Sequence, residues 1–143
     1  MIARMESSLL MMDLMRAYYW FDESLRARLL RRGWAPVTRS QSLVLANVAN
    51  GVNRASRIAE NLGVSRQAMS QLLAEMVDKE LIEIVPDPQD RRAQRVEFSP
   101  AGAAIREDAQ QILRELEAEM ASTIGEPALA VVRKALASFP EKS

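Results

Sequence analysis

The side chains that could do chemistry at the surface of this protein are mainly arginine, glutamine and serine. Its 143 residues include no histidine and no cysteine. Their absence excludes disulfide scaffolds, thiol nucleophiles, histidine general bases and zinc sites with nitrogen or sulfur ligands. The sequence also has no glycine-rich phosphate-binding loop and no cluster of metal ligands. We therefore expect no cofactor, no metal and no enzyme activity, with chemistry by carboxylates alone as the remote alternative.

Hydrogen-bonding side chains are most concentrated in residues 65–79, a segment of helical periodicity. Arginine can read the edge of guanine, glutamine can read adenine, and serine bonds a base or a phosphate. The segment has no acidic residue before Glu75, whereas an ordinary solvated helix face is rich in glutamate and lysine. This pattern favours a DNA-reading face over a merely solvated one, and the predicted contact residues are Ser65, Arg66, Gln67, Ser70 and Gln71.

The residues before this segment have the spacing of two helices joined by a tight turn. Such a turn needs a small residue on the first helix, an apolar anchor, a glycine and apolar residues on the inner face of the second helix. Ser65 is a good N-cap for the second helix. Similar turns occur in proteins that bind no DNA. The matching positions are Ile58, Ala59, Leu62 and Gly63, with Val64, Met69 and Leu72 as the inner face of the second helix.

Beyond the second helix the period of the sequence changes to that of two short strands, residues 82–85 and 93–98. The tip between them holds Arg91 and Arg92, with Asp90 positioned to pair with one guanidinium, and Arg95 follows on the second strand. Arginine in a narrow minor groove gains from the negative potential there. The alternative is a surface ion pair worth under about 1 kcal/mol.

These motifs resemble the MarR family of winged helix-turn-helix regulators. The resemblance rests on the runs Ile58–Arg66, Asp87–Arg92, Phe98–Gly102 and Thr38–Gln41, and with the flanking helices it covers nearly the whole chain. It implies a homodimeric bacterial or archaeal transcription regulator, usually a repressor, which binds double-stranded DNA at a pseudo-palindromic operator. It further implies a recognition helix over residues 66–79, Arg92 in the minor groove held by Asp90, and a small aromatic or amphipathic effector.

Two residues depart from the family pattern. Glu80 stands where the family usually has glycine, and an acid near a helix C-terminus opposes the helix dipole and lacks the ease of glycine at positive φ. Ile84 stands where a basic residue is common, which removes one phosphate contact. The absence of cysteine excludes the thiol-oxidation switch of the peroxide-sensing branch.

The remaining segments predict the elements that position this unit. The expected fold is mainly α with a small two-stranded β wing, a winged helix-turn-helix flanked by N- and C-terminal dimerisation helices. We predict a dimerisation helix in residues 1–37, the DNA-binding lobe in 38–99 and two dimerisation helices in 100–143. A capping box from Thr38 to Gln41 and the Ser99–Pro100 pair mark helix starts, and Gly125 with Pro127 breaks the C-terminal segment.

The N-terminal helix, about residues 6–32, is apolar nearly all round, which predicts burial against a second copy. Five of the seven aromatic residues fall before residue 35, and this helix also has three methionines. These suit a flat apolar ligand, although dimer core is the interpretation we favour. The candidate ligand residues are Met11, Met15, Tyr18, Tyr19 and Trp34. Asp13 and Arg16 predict an ion pair across one helix turn.

Neither a signal peptide nor a membrane span is predicted, because the apolar run of residues 9–21 is interrupted by charges and is too short. We therefore expect a cytoplasmic protein. Its net charge is zero, and residues 52–98 carry seven basic and eight acidic side chains. This lack of basic excess motivates the alternative function, a winged-helix module that binds protein and not DNA. If the chain does bind DNA, its non-specific affinity should be weak and unusually salt-sensitive.

Overall fold

The computed structural model describes residues 8–140, in which six helices and two strands follow one another as the sequence predicts. The mainly α fold with a two-stranded wing is confirmed. The helices and strands are α1 Leu10–Arg31, α2 Arg39–Ala49, α3 Ala55–Leu62, α4 Arg66–Asp78, β1 Ile82–Pro86, β2 Gln94–Phe98, α5 Pro100–Ile124 and α6 Glu126–Ala137. Among residues 8–140, no helix is both long enough and apolar enough to cross a membrane.

The two strands form an antiparallel ladder in which Ile82 lies opposite Phe98 and Pro86 opposite Gln94. Residue Arg54, just before α3, bridges to the outer edge of β2 at Arg95. The wing is therefore attached along β2 to the rest of the lobe. Its core-facing residues join those of α2, α3 and α4 in one apolar cluster, whose most buried members include Val44, Ile58, Met69, Leu73, Met76, Ile82 and Val96.

Local capping fixes where the helices begin. The Thr38 side chain accepts from the Gln41 amide, and the Gln41 side chain accepts from the Thr38 amide, which confirms the capping box. Ser99 caps α5 by accepting from the Gly102 amide at 3.0 Å, with Pro100 in the first turn. The chain leaves α5 at Gly125, as predicted. These bonds satisfy amide groups that a helix start otherwise leaves unpaired.

The first helix begins at Leu10, later than the predicted start at Glu6, which lies outside the described residues. One side of α1 packs against α5, where Arg28 Nη2 donates to Glu119 Oε1 at 2.7 Å. The predicted burial on more than one side is not met in a single protomer, because only Asp22 and Leu29 of this helix are buried. No element within residues 8–140 covers its other side. Exposed apolar residues lie at the start of α1, among them Leu9, Leu10, Met11 and Met12, and in or just after α6, among them Val131 and Phe139.

Candidate nucleic-acid interface

A tight turn at Gly63 joins α3 to α4. Gly63 adopts a left-handed conformation with φ 70°. Its amide donates to Glu60 O at 3.1 Å, and the Val64 amide donates to Ala59 O at 3.0 Å. This pair of bonds is a Schellman motif, which glycine favours because it has no Cβ. The predicted helix-turn-helix is therefore present. Val64 was wrongly assigned to the inner face, since it precedes the helix and is 39% exposed.

Helix α4 presents one buried and one solvated face. Ser65 caps it by accepting from the Ala68 amide at 3.1 Å. Met69, Leu73 and Met76 are buried, whereas Val77 is 42% exposed. Val77 lies at the edge of the buried face, on the side of β1. All the predicted contact residues of this segment are exposed, namely Ser65, Arg66, Gln67, Ser70 and Gln71.

The tip loop of the wing is anchored where it leaves β1 by Asp87, a residue to which the sequence gave no separate role. Asp87 is buried, and its Oδ1 accepts from the Gln89 amide while its Oδ2 accepts from Arg54 Nε, both at 2.9 Å. The Gln89 amide, and then the charge and hydrogen bond of Arg54, lower the pKa of the Asp87 carboxyl below its ordinary value. An Asp-Pro turn was readable from the sequence. The pairing with Arg54, 33 residues away, was not.

At the tip of the wing the role of Asp90 differs from the prediction. Its Oδ1 accepts from the backbone amide of Arg92 at 3.0 Å, and the residues at 8–140 include no ion pair between Asp90 and either tip guanidinium. The predicted side-chain pair was therefore wrong. An Asx turn within the loop uses the carboxylate instead, and this leaves the side chains of Arg91 and Arg92 exposed and free to face a ligand.

An open cleft of about 380 Å³ separates α4 from the wing. From the helix side it is lined by Arg66 and Ser70, and from the wing side by Asp90 and Arg92. In the described part of the chain neither arginine pairs with a carboxylate. The fold therefore brings two unpaired guanidiniums from distant segments to the two sides of one cleft, a spacing that no local sequence pattern contains.

Arg95, also predicted at the interface, lies in β2 opposite Val85, one pair away from the tip end of the ladder. Its Nε is buried, 3.3 Å from Glu97 Oε1, and its charge contributes to the lowered pKa of Asp87. Gln67, Gln71 and Arg91 share the exposed faces of α4 and the wing without lining the cleft.

The end of α4 contains the residue with unusual backbone geometry. Glu80 has φ 60°, the positive value that the family glycine would adopt without strain. Its amide donates to Val77 O at 2.9 Å, and the Leu81 amide donates to Met76 O at 3.0 Å. The chain therefore enters β1 through the same Schellman motif as at Gly63, although the residue at positive φ here has a side chain.

The predicted ligand residues do not surround a common cavity. Met11 and Tyr18 are exposed, Tyr19 lies under the Arg39 guanidinium, and Trp34 Nε1 donates to Asp108 Oδ2 at 2.7 Å. Burial and then the Asp22 carboxylate raise the pKa of the Tyr18 hydroxyl. The predicted contact between Asp13 and Arg16 is present.

A separate apolar cavity of about 120 Å³ lies between α1, α2 and α5. Sequence reasoning missed it because its walls come from three segments far apart in the chain. Its lining is mostly apolar, with Ser42, Arg106 and Gln110 as the polar members. Arg106 also lies over the ring of Phe98, with its Cζ 5.3 Å from the ring centroid.

Comparison with known proteins agrees with this architecture. Residues 35–93 match the sequence profile of the MarR family. No curated protein sequence matches the chain. The apo form of wild-type MarR from E. coli is similar over 93% of this chain and 98% of its own, at 23% identity and a TM-score of 0.72.

Two further solved structures were determined with ligands. The M. tuberculosis transcriptional regulator MOSR in complex with DNA is 24% identical, covers 91% of this chain and 92% of its own, and has a TM-score of 0.61. NadR in complex with 4-hydroxyphenylacetate is 14% identical, with 95% of both chains covered and a TM-score of 0.73. At these identities the likeness is one of fold.

Proposed function

We propose that this chain, whose residues 35–93 match the MarR family, is a homodimeric, sequence-specific DNA-binding transcription regulator, with repression as its expected mode. The observation that carries the proposal is the cleft with Arg66 on one side and Arg92 on the other. A guanidinium that is not neutralised by a carboxylate can bind a base edge or a phosphate. The DNA bound by MOSR supports the same use of this fold.

We assign separate DNA contacts to the two sides of the cleft. Helix α4 enters the major groove, where Arg66 and Gln67 read base edges, and the tip of the wing carries Arg92 to the adjacent minor groove. Apart from Asp90, none of the residues that line the cleft is acidic, and Glu75 and Glu80 follow the acid-free first turns of α4. A lobe without a net positive charge can therefore still present positive charge where DNA would bind.

The test begins with a duplex selected by the protein from a random-sequence pool. Arg92→Ala should weaken binding to that duplex by about 1–3 kcal/mol, or about 5–150-fold. Arg114→Ala is the matched control, since it removes one charge from an exposed position on α5, and it should leave the affinity within about twofold. Equal affinities of the parent and the Arg92 variant would contradict the proposal.

A salt titration separates this proposal from the alternative of a protein-binding winged helix. Each neutralised phosphate contributes about 0.9 to the slope of log K against log salt, so a DNA-binding regulator gives a steep line. The lack of a net basic charge on residues 52–98 is what favours the alternative. Failure to select any duplex, or binding that does not depend on salt, would support it.

Dimerisation is proposed from the exposed apolar side chains of the terminal helices. Leu10 is 67% exposed, Met11 68% and Val131 68%, and isolated soluble chains rarely leave such a surface uncovered. Two recognition helices related by a twofold axis would then lie about 34 Å apart to enter successive major grooves. Sedimentation of the parent should give a dimer, and Val131→Asp should shift it toward monomer; a monomeric parent would exclude this arrangement.

For the effector we propose the cavity between α1, α2 and α5 instead of the methionine and aromatic cluster of α1. An apolar cavity of similar size, about 150 Å³, binds benzene in another protein, so a single aromatic ring fits this one. Arg106 at its edge suits a carboxylate on that ring. Because α1 and α5 belong to the dimerisation part and α2 to the lobe, a ligand there can bias the separation of the two lobes.

A thermal-shift screen with single-ring aromatic acids and phenols tests this site. Binding should raise the melting temperature of the parent, and Ala109→Leu, which fills the cavity, should abolish the increase. A shift that survives in the Ala109 variant, or that is lost on substitution of Met11, would move the site to the α1 cluster.

A further inference from the structure

A buried carboxylate joins α1 to the first turn of α2. Asp22 is 4% exposed, and its Oδ2 accepts from Arg26 Nε at 2.9 Å and from Arg39 Nε at 3.1 Å. Arg26 is one turn further along α1, whereas Arg39 is the first residue of α2. A buried charge needs its partners, because it loses its hydration. The ion pair with Arg39 therefore fixes the start of α2 against α1.

Both arginines make further contacts in the same place. The Arg39 guanidinium lies 4.2 Å above the centroid of the Tyr19 ring, and its Nη2 donates to Glu23 Oε1 at 2.9 Å. Arg26 Nη1 donates to the carbonyl of Val37 at 3.4 Å, in the segment that connects the two helices. We name the set Asp22, Arg26 and Arg39 the α1–α2 joint.

The opposite side of the connecting segment is attached to the end of α4. Lys79, the C-cap of that helix, donates through Nζ to Pro36 O and to Gln41 Oε1, each at 3.2 Å. Gln41 is itself buried and caps α2. Residues 36–41 are thus bonded on one side to α1 and on the other to the C-terminal end of the recognition helix.

We propose that Asp22 is a positioning residue that sets the angle between α1 and α4 and thereby the half-site spacing to which a dimer binds. The proposal rests on the DNA-binding function proposed above. In a dimer held together by the terminal helices, each recognition helix reaches DNA through its connection to α1. A small rotation at the α1–α2 joint is transmitted to α4 through residues 36–41, and the distance between the two copies of α4 changes accordingly.

The test measures this geometry directly and uses the absence of cysteine from the chain. Ala27→Cys on α1 and Ala74→Cys on α4, both at exposed positions, carry two spin labels. The labelled chain is diluted into an excess of unlabelled protein, so that the distance measured is within one protomer. We expect one narrow distance distribution in the parent and a broader or shifted one in Asp22→Asn.

The second readout is operator spacing. With the duplex selected by the parent, Asp22→Asn should lose at least about tenfold in affinity, and its loss should be smaller on duplexes whose half-sites are moved by one base pair. Glu119→Gln, which removes an ion pair between α1 and α5 outside the joint, is the matched control and should keep both the distance and the spacing preference. A general loss of stability would weaken binding to all spacings alike.

The outcomes are distinguishable. If folded Asp22→Asn keeps the parent distance distribution and spacing preference, the positioning role is refuted. If the parent binds no duplex, the proposed function fails while the spin-label distances still decide the role of the joint. Should Asp22→Asn fail to fold, as its circular dichroism would reveal, Arg39→Gln leaves Asp22 paired with Arg26 and applies the same two measurements.

Discussion

Glu80→Gly should stabilise the protein, because the backbone at this position already has the conformation that glycine prefers. Glu80 has φ 60°, and it completes the same pair of amide bonds after α4 that Gly63 completes after α3. At Gly63 the motif carries no side chain, whereas at Glu80 the Cβ lies close to the following carbonyl. The two helix ends of one chain thus provide an internal comparison.

The expected magnitude follows from two opposing terms. A side chain in the left-handed region costs about 1–2 kcal/mol, and glycine loses about 0.5–1 kcal/mol more backbone entropy on folding. The backbone gain is therefore about 0.5–1 kcal/mol. Removal of the carboxylate from the negative end of the α4 dipole adds about 0.3–1 kcal/mol at low salt. Glu80→Gly should raise the free energy of unfolding by about 1–2 kcal/mol in total.

Urea denaturation of three variants separates these terms. Glu80→Gln removes the charge alone, so Glu80→Gly should be more stable than Glu80→Gln by the backbone gain. Salt screening should shrink the advantage of Glu80→Gln over the parent and leave the difference between the two variants. Asn50→Gly, at the C-cap of α2 with an ordinary φ of −87°, is the control and should destabilise by about 0.5–1 kcal/mol.

One result would refute the reasoning. If Glu80→Gly is no more stable than Glu80→Gln, the positive φ costs nothing at this position, and the effect of the residue is electrostatic only.

Two further predictions concern the attachments of the wing. Gly102→Ala should destabilise the protein by about 1–3 kcal/mol or more in urea denaturation, because its Cβ would lie 1.9 Å from the backbone oxygen of Leu81. The control Ala104→Ser, on the exposed face of α5, should change the stability by less than about 0.5 kcal/mol. The Gln89 amide and Arg54 hold the pKa of Asp87 below its ordinary value of 3.8, so the ionised form stabilises the fold above that pH. Asp87→Asn should therefore be less stable than the parent at pH 7, and the difference should close as the pH falls below 3.8; a difference that is constant with pH would contradict the role of the charge.

The turn before α4, the helix caps and the exposure of the polar face of α4 were predicted well, because their signals are local. Ser65, Gly63 and the Thr38–Gln41 capping box act through hydrogen bonds within four or five residues, so residue type and spacing suffice to place them. Period-3.6 and period-2 apolar patterns likewise place α4 and the two strands of the wing. The departure at Glu80 was also visible in the sequence, because the family pattern has a glycine there and the backbone at this position has a positive φ.

What the tertiary structure decided depends on contacts between distant segments. Arg54 pairs with Asp87 across 33 residues. The Asx turn at Asp90 is the exception, because it is a local hydrogen bond that the sequence analysis missed. The cavity beside Arg106 has walls from three helices, so no single segment carries its pattern.

The sequence by itself therefore determined the order of elements, their caps and the polar face of α4. These are properties of a short stretch of backbone and its own side chains. Only the tertiary structure decided which charges meet, as Asp22 and Arg39 do, and which arginines stay unpaired at the cleft. The reason is physical. Electrostatic and packing partners are set by distance in space, and the fold brings together residues that are far apart in the sequence.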